Sequence, residues 1–277
     1  LVYVLWKGDD AKGAQRWLEV FGVRLGQPSE FAKVAFVFGM AWYLALLQER
    51  VQKLRYFALA FVIAGIPSLL ILKQPNLGTA LIFAPVVCVM LFAAGCKHWQ
   101  LITLLILGIS GVTVAMLAAM EIIDVPLPLE EHQKKRLITF VNPEEDPRGA
   151  GWQTIQTKIA VGSGRMWGKG FMEGTQTHLR YLPEHHTDFI FSLLAEERGF
   201  VGAMVVIGLF GALLLRALAL AKDCQDVEGM LLIVGSATVL GFHVFVNIAI
   251  TIGIMPVTGL PLPFLSYGLS FYLATMV

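Results

Sequence analysis

Charge is what this 277-residue chain has least of. Only 15% of its residues are Asp, Glu, Lys or Arg, against 56% hydrophobic residues, whereas soluble domains carry about a quarter charged residues. So few charges cannot cover a soluble surface, and a mean hydropathy of +0.69 points to a hydrocarbon solvent instead. Cysteine is also scarce. Cys88 falls in an apolar run, and Cys96 and Cys224 fall in short connections, which reads as three free thiols rather than a disulfide framework. The net charge of +1 and the lack of a basic run with interleaved aromatics argue against a nucleic-acid binder and give no sign of an acidic partner. A phosphate-cradling loop is missing too: in GSGRMWGKG at 162–170, Ser163 stands where the first glycine is required and Gly170 where the hydroxyl is required. That segment reads as a flexible turn. His178, His185 and His186 read as surface histidines, since two are adjacent and no acid stands at a ligand interval.

What the chain does have is apolar runs of spanning length, about 20 residues for a hydrocarbon core of about 30 Å. They lie at 31–48, 57–72, 79–95, 101–119, 199–220 and 230–252, and another starts near Phe264. The chain is therefore expected to be an all-α polytopic membrane protein, with residues 1–277 forming a single transmembrane domain. The runs 57–72 and 79–95 are short for a span. Leu1 reads as the tail of a further helix and Val277 falls inside the last one, so both ends read as trimmed. Residues 121–187 form a loop too long for a simple connection. Within it Trp152, Ile155, Ile159 and Ala160 alternate with polar residues as in an interfacial helix, with Trp152 at headgroup level.

Basic residues do not orient the chain. Arg50, Lys53, Arg55, Lys97, Arg216 and Lys222 lie in one set of connections, and Lys7, Lys12, Arg16, Arg24 and Lys73 in the other. A basic surplus on an outer face would suit an anionic group such as a lipid diphosphate. Glu30 and Lys33 share one helix face at the start of a span, where they neutralise each other. If spans alternate, Arg16, Glu30, Lys33 and Lys73 collect on the face that carries the long loop and Asp188. Asp188 stands where that loop returns to apolar sequence. Thr187 or Asp188 would also serve as the N-cap of a helix starting at Phe189. Glu196 and Glu197 are adjacent, so they point about 100° apart on a helix and cannot act as a glycosidase pair.

Six segments carry a resemblance: GAQRW at 13–17, QPSEFAK at 27–33, QPNLGT at 74–79, GAGWQTIQTKIAVGSG at 149–164, LPEHHTDFIF at 182–191 and PLPFLSYG at 261–268. In this order and register the chain resembles the SEDS family (shape, elongation, division, sporulation), more its elongation-specific members than its division-specific ones. The resemblance implies a bundle of ten transmembrane helices, of which this chain covers about the end of the third to part of the tenth. It implies that the large loop is extracytoplasmic and that the protein sits in the bacterial inner membrane, with its active face outside. It further implies a peptidoglycan glycosyltransferase that polymerises lipid II beside a class B penicillin-binding transpeptidase.

The family's essential aspartate falls on Asp188, and its important glutamate and lysine fall on Glu30 and Lys33. Asp188 is then expected to act as general base on the attacking sugar hydroxyl. Arg16, Lys33 and Lys73 are expected to stabilise the leaving diphosphate, alone or with a divalent cation such as Mg or Mn, and Glu30 to hold Lys33. No protein metal site is expected. Two positions depart from the family pattern: Asn76 replaces an acid, and Leu269 replaces a second glycine after SYG. A lipid flippase and a scaffold that only recruits the transpeptidase are the alternatives. No matching pair of Gly/Pro-broken spans favours the first, and the second leaves the polar residues without a task.

Overall fold

The computed structural model describes residues 1, 9–11, 14–20, 23–74, 76–120, 122, 131–146, 149–175 and 187–276, with backbone only at 9–26, 131–133, 150 and 269. Among the described residues the fold is helical, as expected, with one small antiparallel sheet that the apolar pattern did not indicate. Strands β1 (Asp9–Ala11), β2 (Ala14–Val20) and β3 (Val23–Gly26) form a meander in the order β1-β2-β3. Its register pairs Asp10 with Gln15 and Glu19 with Arg24.

The long helices are α1 (Pro28–Leu47), α2 (Leu54–Leu72), α3 (Leu77–Ala93) and α4 (His98–Ala119). Two helices form inside the long loop, α5 (Glu131–Val141) and α6 (Ala150–Ser163). They are followed by α7 (Ile190–Asp223), α8 (Val227–Thr251) and the short α9 (Leu269–Met276). Five helices among the described residues are long and apolar enough to cross a membrane: α1 with its following turn, α2, α4, α7 and α8. At 17 residues α3 is shorter, about 25 Å at ~1.5 Å per residue. The run expected near Phe264 begins later. Phe264 has a left-handed φ of 62°, and Leu262 N–H donates to Ser266 Oγ at 2.8 Å while Ser266 N–H donates back to Leu262 O at 3.0 Å. This closed turn, preceded by Pro261 and containing Pro263, delays the helix to Leu269.

Two compact units form. One contains Leu1–His98, Leu209–Val244 and Leu260–Val277. Its core includes Met40, Leu44, Phe83, Met90 and Leu231, all at most 2% exposed. Phe36 meets Phe83 edge-on, with ring centroids 5.0 Å apart. Gly235 lets α8 approach closely, since a Cβ there would lie 2.7 Å from Val37 and 2.9 Å from Met90.

The other unit contains Trp99–Gly208 and Phe245–Gly259. Within it α7 breaks at Gly199, where φ is 67° and ψ −168°. The glycine-rich segment expected to be a flexible turn is instead bonded into this break. Lys169 and Gly170 donate their backbone N–H to the carbonyls of Glu196 and Glu197 at 3.0 and 3.1 Å. Phe200 and Val201 donate to the carbonyls of Arg165 and Met166 at 2.8 and 3.1 Å. The backbone groups that a helix loses at a break thus find partners. Glycine is required at 199 on two counts: its φ is left-handed, and a Cβ would collide with the backbone of Met166 and Gly168.

Candidate functional site

In the first unit, Pro28 occupies the first turn of α1 and Glu30 follows it, as suits a helix N-terminus. Gln27 N–H donates to Ser270 Oγ at 3.2 Å. One turn on, Lys33 Nζ donates to Glu30 Oε2 at 2.7 Å, with the two side chains only 4% and 6% exposed. The pair expected from spacing is therefore formed and buried.

Its third member was not expected. His243, on α8 and 1% exposed, places Nε2 2.8 Å from Lys33 Nζ and Nδ1 3.1 Å from Pro261 O. The Phe271 ring lies 5.5 Å from Lys33 Nζ and 4.8 Å from the His243 ring. Glu30, Lys33 and His243 line a cavity of about 500 Å³ whose remaining walls are mostly apolar, among them Val37, Leu240 and Phe264, with Ser236 and Thr275. The signal in the sequence was a lone ionisable residue in the run GFHVFVN, since such a residue inside a span is a functional candidate by default.

Lys73 is exposed in the turn after α2, unlike the buried Glu30 and Lys33. Arg16 lies on β2, and its side chain falls outside the described residues, as do His178, His185 and His186. Asn76, the departure from the acidic pattern, is the N-cap of α3 and accepts from Thr79 N–H at 3.3 Å. An amide oxygen serves that purpose as a carboxylate does.

In the second unit, Asp188 lies half-buried in the turn 187–189 that leads into α7. The helix begins at Ile190, one residue later than expected. The Asp188 carbonyl accepts from Asn247 Nδ2 of α8 at 2.9 Å, and Asn247 is fully buried. The carboxylate lies against Gly259, whose φ is 73°, with Oδ2 3.3 Å from the place a Cβ would take. Arg136 of α5 feels the same carboxylate: burial pushes its guanidinium below the usual arginine range, and the charge of Asp188 opposes that shift. Arg136, Asn247 and Gly259 were not singled out in sequence, because nothing in their spacing ties them to Asp188.

Glu196 and Glu197 do diverge. Glu196 is fully buried and Glu197 is half-buried. Glu196 Oε1 accepts from Lys169 Nζ at 2.6 Å and from Thr175 Oγ1 at 3.1 Å. Among the described residues, no group of three or more His, Cys, Asp or Glu side chains is placed to hold a metal ion. Cys88, Cys96 and Cys224 are free.

A multi-pass helical membrane protein with a buried Glu–Lys–His cluster on a largely apolar cavity and a held aspartate before a broken span is the class these features define. The match to known proteins narrows it. All of residues 1–277 match one family of cell cycle proteins, and the chain belongs to that FtsW/RodA/SpoVE family. It is 42% identical to the probable peptidoglycan glycosyltransferase FtsW of Trichlorobacter lovleyi, over 97% of this chain and 67% of that protein. It is 41% identical to the peptidoglycan glycosyltransferase MrdB of Escherichia coli (strain K12), over 94% of this chain and 68% of that one. Among solved structures, a chain of a peptidoglycan synthase complex that couples polymerization and crosslinking is similar, with a TM-score of 0.75 and 31% identity over 99% of this chain and 74% of that chain. The chain thus spans about two thirds of the length of the curated relatives it matches.

Proposed function

We propose that this chain is the core of a peptidoglycan glycosyltransferase that polymerises lipid II, with Asp188 as its general base. The observation that carries the reading is the setting of Asp188. Its main chain is fixed by Asn247, its carboxylate is seated on Gly259, and the positive Arg136 acts on it. A carboxylate in a half-buried turn can take the proton from a sugar hydroxyl. The hydroxyl oxygen then bonds to the anomeric carbon of a second lipid-linked disaccharide, and the bond from that carbon to undecaprenyl diphosphate breaks. Lys33, neutralised by Glu30 until an anion arrives, is proposed to receive diphosphate charge, with Arg16 and Lys73 as further basic contacts.

A divalent cation is retained as a proposal, with no step assigned to it. Magnesium is commonly held by one or two carboxylates together with substrate phosphates rather than by a protein cage, and Asp188 supplies one such carboxylate. Comparing polymerisation in EDTA with that in added Mg or Mn decides it.

We place the protein in the bacterial inner membrane with the loop 121–187 and the chemistry outside. We assign it to elongation and pair it with a class B penicillin-binding transpeptidase, a pairing supported by the similarity to a synthase complex. The near-equal identity to an FtsW-named relative favours a division role as the second reading. Depletion separates the two: loss of rod shape supports elongation, and filaments without septa support division.

Asp188→Asn is the direct test. In purified protein it is expected to abolish polymerisation of fluorescent lipid II while expression and transpeptidase binding stay near normal. Polymerisation at the parent rate would remove Asp188 from the role of base.

A further inference from the structure

We propose that His243 is a positioning residue: as a neutral imidazole protonated on Nδ1, it holds the Lys33 ammonium so that one N–H faces the cavity, ready for an anionic diphosphate headgroup. This rests on the reading above in which Lys33 receives that charge.

The geometry sets the tautomer. Pro261 O has no proton to give, so the 3.1 Å contact requires Nδ1–H as the donor. Nε2 is then a lone-pair acceptor, 2.8 Å from a lysine that has only donors. Lys33 therefore spends one N–H on Glu30 and one on His243, and its third is the donor left for the cavity that all three residues line. Without the second acceptor, nothing keeps the ammonium from turning fully onto the carboxylate and presenting a neutral pair. A proton relay is a poorer account of the same contacts, because the Nδ1 proton points at a peptide carbonyl that cannot pass it on.

His243 is itself held. Its ring packs on Phe271 at 4.8 Å. The carbonyl that fixes it opens the turn locked by the mutual Leu262 and Ser266 bonds at 2.8 and 3.0 Å. The PLPFLSYG segment, which the proposed chemistry leaves without a task, is thereby connected through His243 to Lys33.

Two substitutions separate the ring nitrogens. His243→Gln keeps an acceptor near the place of Nε2, and His243→Asn keeps a donor near Nδ1 for Pro261 O but has no acceptor for Lys33. Binding of fluorescent lipid II, which needs no turnover, is expected to weaken about 10-fold in His243→Asn, as loss of a hydrogen bond to a charged group implies, and to stay within about 3-fold in His243→Gln. In a Glu30→Gln/Lys33→Met background, where no cation is left to position, His243→Asn is expected to change binding no further. An undiminished effect in that background, or equal losses in the Gln and Asn variants, would overturn the proposal in favour of a packing role.

A second arm does not depend on function. In ¹⁵N spectra of histidine-labelled protein, with the His243 signals identified by their loss in His243→Gln, Nδ1 is expected to be protonated and Nε2 bare. A protonated Nε2 would overturn the assignment. A parent protein that neither binds nor polymerises lipid II would sink the glycosyltransferase reading instead, and the nitrogen spectrum would still decide the tautomer.

Discussion

Replacing Lys33 by Met separates a functional cation from a structural ion pair, provided that the partner charge is also removed in a second variant. In Lys33→Met, Glu30 keeps its charge in a site where the two side chains are 4% and 6% exposed, and its 2.7 Å donor is gone. Breaking a buried pair from one side costs about 3–5 kcal/mol, because the remaining charge stays desolvated. The bare Nε2 of His243 loses its donor as well. A loss of about 4 kcal/mol corresponds to a fall in Tm of about 8–16 °C for a chain of this size. Glu30→Gln/Lys33→Met leaves no charge to desolvate. The unmet His243 acceptor then dominates, at about 1–3 kcal/mol, and most of the Tm is recovered. Thermal unfolding followed by intrinsic fluorescence reads stability, and fluorescent lipid II reads function. We expect the single variant to lose both, and the double variant to regain stability while binding lipid II measurably more weakly than the parent and failing to polymerise it. A double variant that polymerises at the parent rate would refute the diphosphate role of Lys33. A single variant as stable as the parent would refute the energetic argument from burial.

Two further outcomes follow from the described contacts. Lys169→Met removes the cation paired with the fully buried Glu196 beside the α7 break and leaves it the hydroxyl of Thr175, so it is expected to destabilise by about 3 kcal/mol, and Lys169→Met/Glu196→Gln should recover most of that in thermal unfolding. Asn76→Ala removes the α3 cap at Thr79 N–H and is expected to cost about 1 kcal/mol, whereas Asn76→Asp should keep the cap and change Tm little.

Hydropathy made the spanning helices legible because a spanning segment needs little more than length and apolar composition. It could not place Phe264 outside a helix, since the Leu262–Ser266 turn rests on a side-chain hydroxyl folding back on its own backbone. Nor could it show the meander at Asp9–Gly26, whose strands are short and mixed in character. Among site residues, Glu30 and Lys33 were readable from an i, i+3 spacing, because the two partners lie on one helix. Arg136 was not, since it meets Asp188 across a large gap in sequence, and His243 stood out only as a lone ionisable residue in an apolar run, with its partner Lys33 210 residues away. The GSGRMWGKG segment lacks the pattern of a nucleotide loop, and two of its glycines serve another purpose: Gly164 and Gly168 let its backbone lie against that of Ala195–Arg198 beside the Gly199 break.

That break bears on how Asp188 is held. The stretch from Ile190 to Arg198 is separated from the apolar run of α7 by a residue with non-helical angles, so the run cannot fix its direction through continuous helical bonding. Direction has to come from what grips the stretch at its two ends. At one end Asn247 holds the Asp188 carbonyl at 2.9 Å. At the other, the backbone of Lys169 and Gly170 takes up the Glu196 and Glu197 carbonyls, and Lys169 Nζ fixes the Glu196 side chain at 2.6 Å. A segment gripped by hydrogen bonds at both ends keeps a carboxylate in place more closely than a loop tip would. Irregular backbone near a span is also tolerated where each freed group finds a partner. The glycine-rich segment after α6 is thus one of the two grips on the segment that bears the proposed base.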